Sequence, residues 1–503
     1  MLELEAKKFQ KITSKAIDRA CPLATISNPV PKFKWWSSDL SQLKGNIKKA
    51  QSKYRRFKSD ERWQLLKDAR KAYRKAIKSH KRQNWNEFLS DSADPKMTAL
   101  VNRIIRKKTN PPVGLLKDNN GNFLGSKGSL NQLLNVHFPG NLKKDDNPQI
   151  PHEIVDISPD DASSVITKDK VKRAIQSFGN FKAPGPDGLK PIVLKHLGDK
   201  ALDWLTNIFH ASILLKCQPK AWRKARVVFI PKEGKPDYNT ARSFRPITLS
   251  SFVMKVLERV VLWHLEETVF SVSPLHINQH AFRRNRSCES ALTNMVTKIE
   301  SAIHNNKFAL GVFLDIQGAF DNVKLDAIIQ GMRTKGVDES IVQWYGSYLQ
   351  NRTVKVDVQG VSMERRLVKG TPQGGVLSPL AWNMVFDHLL EIFNSSQIDA
   401  IGFADDGALV LIGTDLERMV AVMQKALQEV QAWGQAQALT FSPAKTVAIV
   451  FTRRYKYQLP TQLRMGEKSL TALRSSILGS GLTRNFLGKL TFQRRSNLQK
   501  DTS

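Results

Sequence analysis

The chain of 503 residues carries 78 Lys and Arg against 45 Asp and Glu, a formal net charge of +33 at neutral pH. At about 150 residues per core it has room for roughly three or four domains. Its sequence contains neither an apolar run near the ~20 residues that cross a bilayer nor, in "MLELEAKKFQKITSK", a signal-peptide core, which argues against a membrane or secreted protein.

A protein this basic repels itself unless an anionic partner is present, and nucleic acid is the commonest one. The charge is concentrated between Lys44 and Arg82, where sixteen Lys and Arg face three acids (Asp60, Glu61 and Asp68). "KDARKAYRKAIKSHKRQNW" has helix-forming composition, and Tyr54, Trp63 and Tyr73 interleave with the cations. This reads as a helical arm lying along nucleic acid, with Lys48, Lys49, Arg55, Arg56, Arg74 and Lys75 as contacts, or as a solvated amphipathic helix. Breaks at "TNPPVG" and "KDDNPQIP" predict a boundary near residue 150. Beyond it come a tight turn cluster, "APGPDG", and a strand, "ARVVFIPK", followed by an amphipathic helix in "SSFVMKVLERVVLWHLEE". Further on are a buried strand, "FALGVFLDI", a strand "TVKVDVQG" and a helix "DLERMVAVMQKALQEVQAWG". That alternation predicts an α+β sheet domain. The cysteines Cys21, Cys217 and Cys288 lie too far apart for a disulfide framework or a zinc site, so a reducing intracellular location is expected, nucleus and/or cytoplasm.

The chemistry concentrates on two acidic positions. Asp315 ends the buried strand, and ninety residues later Asp405 and Asp406 interrupt the apolar run "AIGFADDGALVLIG". Buried carboxylates are costly unless something positive meets them. If the strands share a sheet, the acids converge, and clustered carboxylates raise one another's pKa. A pair of divalent cations, Mg²⁺ or Mn²⁺, removes that cost and suits phosphate chemistry. Alone, "DDG" reads first as a hairpin turn at Asp-Gly, and a hairpin tip is also a good place to present carboxylates.

In their order and spacing, "FLDIQGAFDNV", "KGTPQGGVLSPLAWNMVFDHLL" and "GFADDGALVL" resemble the palm of reverse transcriptases of non-LTR (LINE-type) retrotransposons, the jockey-like group in particular. "PKAWRKARVVFIPKEGK", "SFRPITLSSFVMKVLERVV" and "INQHAFRRNRSCESAL" resemble that family's fingers, and "KAPGPDGL" its N-terminal finger extension. The resemblance runs from about Ala162 to Phe451 and continues faintly through "WWSSDL", the basic helix and "HFPG".

This resemblance implies an α+β right-hand polymerase with fingers and a ferredoxin-like antiparallel-sheet palm, preceded by a basic, mainly helical segment. The implied divisions are a linker-type region at 1–150, a finger extension at 151–211 and a reverse transcriptase domain at 212–488. Within that domain fall fingers at about 212–300, palm at about 301–451 and a primer-grip remnant at 452–488, with a tail at 489–503. The implied activity is RNA-directed DNA polymerisation on an RNA template and DNA primer, with dNTPs, two metal ions and no obligate protein partner. Asp315 and Asp405 would bind both metals, with Asp406 beside them. Phe320 would be the steric gate against the 2′-hydroxyl. Gln373 would orient the nucleotide, and Gly374 and Gly375 would let backbone approach it. Lys232 and Arg245 would hold its triphosphate, and Lys445 would serve the pyrophosphate. Phe320 also argues against an RNA-synthesising enzyme on the same palm. Departures from the family pattern lead to further expectations. No endonuclease, ribonuclease H or Cys/His knuckle motif is recognised within these residues, so the expectation is a chain without them, and after Phe486 the match dissolves where a thumb would be expected. The implied outcome is weak, distributive synthesis, with a truncated remnant that only binds nucleic acid as the alternative.

Overall fold

The computed structural model describes residues 1–20, 35–90, 113–118, 120–138, 164–233, 235, 237–443, 445–454, 457 and 463–475. Its longer helices and its strands, in chain order, are α1 (Leu2–Ala20), α2 (Ser38–Arg56), α3 (Asp60–Ser90), α4 (Ser126–His137), α5 (Lys168–Gln176), α6 (Asp199–Leu214), β1 (Lys224–Pro231) and β2 (Phe244–Ser250). There follow α7 (Phe252–Val272), α8 (Cys288–His304), β3 (Phe308–Asp315), α9 (Leu325–Thr334), α10 (Glu339–Gln350), β4 (Thr353–Val358) and β5 (Val361–Arg366). The last are α11 (Ser378–Glu391), β6 (Ile398–Phe403), β7 (Asp406–Gly413), α12 (Leu416–Ala436), β8 (Val447–Phe451), β9 (Arg464–Met465), β10 (Lys468–Ser469) and β11 (Thr471–Ser475). The fold is α+β. No helix among the described residues is long and apolar enough to cross a membrane.

The chain divides into two compact units, Cys21–Asn110 and the remainder, which comprises Met1–Ala20 and Pro111–Ser503. This differs from the expected boundary near residue 150. Composition marked the basic stretch, but packing assigns its flanks to the larger unit. Leu2, Ala6 and Phe9 recur at helical spacing along α1 and are buried. Phe9 meets Trp204 of α6 edge-on at 5.5 Å, and the Trp204 indole donates to Glu5 Oε2 at 2.9 Å. At the other flank, Leu130, Leu133 and Leu134 of α4 pack with Val227 and Phe229 of β1.

The larger unit holds two main sheets. One has the order β2-β1-β4-β5, with β1 and β4 parallel and the other pairs antiparallel. In β1 alternate residues are buried, as a strand with one covered face requires. The other sheet has the order β11-β8-β3-β7-β6. Its four antiparallel strands follow the chain as β3, helices, the β6–β7 hairpin, helix α12 and β8. That is the β-α-β-β-α-β arrangement of ferredoxin-like folds. The fifth strand departs from the all-antiparallel expectation, because β11 joins β8 in parallel. The central β3 is buried along seven of its eight residues, which explains its nearly continuous apolar run.

The smaller unit contains α2 and α3. Leu40 and Leu66 are buried, and Tyr54 packs on Trp63 at 5.0 Å. Lys67 lies over the half-buried Trp63 and Arg62 over the exposed Phe57, cation–aromatic contacts that hold charge beside the rings. Lys48, Lys49, Arg55, Arg56, Arg74 and Lys75 are all exposed. The primer-grip motif at 478–486, the tail at 489–503, Cys21 and the basic run "RIIRKK" lie outside the described residues.

Candidate active site

The site is built on the β3 end and the β6–β7 hairpin. Asp315 closes β3 and pairs in register with Asp406, the first residue of β7. Phe403 pairs with the same Asp406 from β6, so the connection is Ala404–Asp405. The hairpin expected at Asp406–Gly407 is therefore displaced toward the N-terminus, and the Asp-Gly pair begins a strand. Ala404 takes the turn conformation instead, with φ +56°, a left-handed backbone unfavourable for a residue with a Cβ. Packing over-determines this choice. The Trp382 indole N–H donates to the Ala404 carbonyl at 2.8 Å from inside α11. A Cβ on Gly402 would come within 2.5 Å of the Phe386 ring, which fixes glycine there and seats β6 against the same helix.

Like charges directly opposite across strands destabilise a sheet. Here Asp406 is 9% exposed and faces Asp315, with Asp405 beside them at the tip. Lys445 meets that charge, its Nζ lying 3.1 Å from Asp315 Oδ2. The lysine is presented by the turn in "SPAKT". Ser442 N–H donates to the Asp315 carbonyl at 2.8 Å, and Lys445 N–H donates to the Ser442 carbonyl at 3.1 Å. As the side chains stand, no group of three or more His, Cys, Asp or Glu among the described residues is arranged to hold a metal ion. The donor chemistry nonetheless fits one. Carboxylate oxygens on neighbouring strands are hard ligands, and the ammonium on Asp315 already marks a place where positive charge is needed.

A second group of cations lies nearby. Lys232 follows β1, its N–H bonded to the Ser243 carbonyl at 2.8 Å, and Arg245 of β2 pairs with Ile230. The Lys232 ammonium is pushed down to about 8, first by burial and then by Arg245, Lys235 and Lys445, against the pull of Asp321. Arg245 and Lys445 thus both lie within electrostatic reach of Lys232.

The loop Gly370–Leu377 connects these parts. Gly370 N–H donates to the Val323 carbonyl at 2.8 Å, Thr371 N–H to that of Phe320 at 2.7 Å, and Thr248 N–H of β2 to that of Gln373 at 2.8 Å. Gly374 has φ +122°, and a Cβ there would sit 2.8 Å from the Thr248 carbonyl oxygen. A Cβ on Gly375 would meet Ser378 Oγ at 2.5 Å. The close approach these glycines permit is thus first to the chain itself. Phe320, half-buried, lies between Trp382 (5.9 Å, 33°) and Phe282 (6.3 Å, 87°).

Several residues of the site carried no sequence signal. Arg352 is buried and donates to the Lys369 carbonyl at 3.2 Å and the Gly370 carbonyl at 2.5 Å, anchoring the loop's start. Desolvation pushes the Asp321 carboxyl up to about 7, opposed by Arg352 and Lys232. Glu258 of α7 accepts from Val376 N–H at 3.1 Å, and burial raises its carboxyl to about 7. Trp382 and Phe282 read in the sequence as ordinary apolar residues. The exposed cations of α2 and α3 belong to the other compact unit.

Residues 230–486 match the family model described as reverse transcriptase (RNA-dependent DNA polymerase). The chain is 24% identical over 451 residues to the Retrovirus-related Pol polyprotein from type-1 retrotransposable element R1 of Bradysia coprophila, covering 87% of this chain and 43% of that protein. It is 30% identical over 297 residues to the probable RNA-directed DNA polymerase from transposon BS of Drosophila melanogaster, covering 57% and 32%. It is 27% identical over 297 residues to the RNA-directed DNA polymerase from mobile element jockey of the same species, covering 58% and 32%. The chain therefore spans less than half the length of these curated relatives.

Proposed function

The chain belongs to the reverse transcriptase (RNA-dependent DNA polymerase) family, in the branch of non-LTR retrotransposons, and from that premise we propose that it extends a DNA primer on an RNA template using dNTPs. The observation that carries this reading is the pairing of Asp315 with Asp406, with Asp405 at the adjoining tip and Lys445 on Asp315. In this reading Asp315, Asp405 and Asp406 hold two Mg²⁺ or Mn²⁺ ions, which when bound activate the primer 3′-hydroxyl and stabilise the leaving pyrophosphate. Lys232 and Arg245 bind the triphosphate and offset charge developing on it. Lys445 stands where it can pass from Asp315 to the pyrophosphate and give it a proton. Gln373 orients the nucleotide from a loop fixed by Thr248 and Arg352. Phe320 excludes the 2′-hydroxyl, so dNTPs are preferred.

In this reading β1 and β2 belong to the fingers, and β4 and β5, which fall inside the 301–451 span expected as palm, join them in one sheet; the sheet containing β3, β6, β7 and β8 is the palm, and 151–211, of which 151–163 lie outside the described residues, is the finger extension. The exposed cations of α2 and α3 neutralise phosphates of bound RNA or DNA, so that contribution weakens as salt rises. Primer extension tests the proposal. Purified protein receives an RNA template, a labelled DNA primer, dNTPs and Mg²⁺, beside Asp405→Ala. Extension by the wild type that is lost in the variant supports the reading. No extension by the wild type, or equal extension by both proteins, contradicts it.

A further inference from the structure

The segment leading into α8 holds an aromatic ring where neither burial nor backbone preference would put it. Phe282 is 49% exposed, and its backbone lies in the left-handed region at φ +55°. Such strain persists where the surroundings over-determine it and clusters at functional sites. The surroundings here are rigid on both sides. His280 N–H donates to the Gly402 carbonyl at 2.9 Å, and Gly402 N–H donates back to that of Asn278 at 2.9 Å. Asn278 Nδ2 donates to the Ala400 carbonyl at 2.9 Å. Asn383 Nδ2, from α11, donates to the Ala281 carbonyl at 2.9 Å. Arg283 Nη1 donates to the carbonyls of His276 at 2.7 Å and Gln279 at 3.1 Å. The segment is thus tied to the edge of β6, the strand that leads to the Asp405 tip, and it presents a ring that gains little from burial.

What the ring touches is Phe320, edge-on at 87° with centroids 6.3 Å apart. Phe320 has two walls. Trp382 is fully buried, lies 5.9 Å away and is fixed by its bond to Ala404. Phe282 closes the other side from solvent. Removing it would leave Phe320 free to swing away from Trp382.

We propose that Phe282 is a specificity-determining positioning residue, which holds Phe320 against the 2′ position of the incoming nucleotide and so enforces the choice of deoxyribose over ribose. This rests on the assignment of Phe320 as the sugar gate. An edge-on aromatic pair has a modest energy, so its loss should relax selectivity by roughly 3- to 10-fold and not abolish it.

The test compares wild type, Phe282→Ala, Phe282→Tyr and Phe320→Ala in the full chain. The readouts are the dNTP-to-rNTP ratio of kcat/KM, the same ratio of affinities (1/Kd) on a dideoxy-terminated primer, the primer–template Kd and the Tm. The affinity ratio requires no turnover. Phe282→Ala should lower both ratios with Tm and primer–template Kd unchanged, and Phe282→Tyr should restore them. Unchanged ratios in Phe282→Ala beside lowered ratios in Phe320→Ala would overturn this proposal alone. A weakened primer–template Kd at unchanged ratios would overturn it too, by making the ring a nucleic-acid contact. Unchanged ratios in Phe320→Ala, or no nucleotide binding by wild type, would remove the gate and this inference with it.

Discussion

Gly374→Ala isolates the loop that the proposal sets beside the nucleotide. The added methyl would sit 2.8 Å from the Thr248 carbonyl oxygen, on a backbone at φ +122°. Carbon contacts to backbone oxygen this short do not persist, and the oxygen belongs to β2, paired along its length with β1. The loop must therefore be the part that moves, by several tenths of an ångström. Holding alanine at such a φ costs about 1–3 kcal/mol, and weakening the Thr248 to Gln373 hydrogen bond adds about 1 kcal/mol. The loop can escape that sum of about 2–4 kcal/mol by shifting, because Gly374 is exposed, but Gln373 then shifts with it. The predicted result is a Tm lowered by only a few degrees and a kcat/KM for dNTP lowered by about 30- to 1000-fold, at one decade per 1.36 kcal/mol. Thermal unfolding and single-nucleotide incorporation kinetics measure the two. Incorporation at the wild-type rate with a wild-type Tm would show that the loop accepts the methyl and that its position does not govern incorporation.

Trp382→Phe keeps the ring against Phe320 and deletes the N–H that meets Ala404 at 2.8 Å. Leaving that carbonyl without its donor costs about 1–3 kcal/mol, and the acidic tip should loosen, lowering kcat more than the dNTP-to-rNTP ratio. Lys232, with its ammonium lowered to about 8, is charged below that pH and loses its charge above it. The dNTP KM should therefore rise as pH climbs through about 8, and Lys232→Arg should move that limb upward. By linkage the fold gains stability between about 8 and 10.5, where the unfolded chain holds a proton that folded Lys232 has released. Asp387→Ala breaks the buried pair in which Lys335 Nζ lies 2.5 Å from Asp387 Oδ2. It also removes the acceptor of His276 N–H at 2.6 Å, and should cost about 3–5 kcal/mol in urea unfolding.

Much of this site could be read in the sequence, because its elements announce themselves locally. An eight-residue apolar strand that ends in Asp315, and a second apolar run broken by Asp405 and Asp406, need no tertiary knowledge to be singled out. Their register does need it. Asp406, and not Asp405, faces Asp315, since the turn sits at Ala404–Asp405. Local preference favoured Asp-Gly, but the Trp382 hydrogen bond and the Gly402–Phe386 contact decided otherwise. The division into compact units is likewise set by packing and not by the breaks near 150. Pro and Asn mark breaks in the chain, whereas α4 belongs with β1 through Leu130, Leu133 and Leu134. Arg352, Glu258 and Phe282 gave no signal, because each acts through neighbours distant in sequence. A lone arginine after a helix, a glutamate inside one and a phenylalanine in a loop look the same wherever they occur.

The most direct test of the metal assignment is Mn²⁺ binding followed by electron paramagnetic resonance, in the complex with a dideoxy-terminated primer on an RNA template and a dNTP. Wild type, Asp315→Asn and Asp405→Asn are compared with the same nucleic acid and nucleotide without protein. Two additional Mn²⁺ ions are expected in the wild-type complex, with that additional binding lost in both variants. Equal Mn²⁺ binding by all three proteins would contradict the metal assignment.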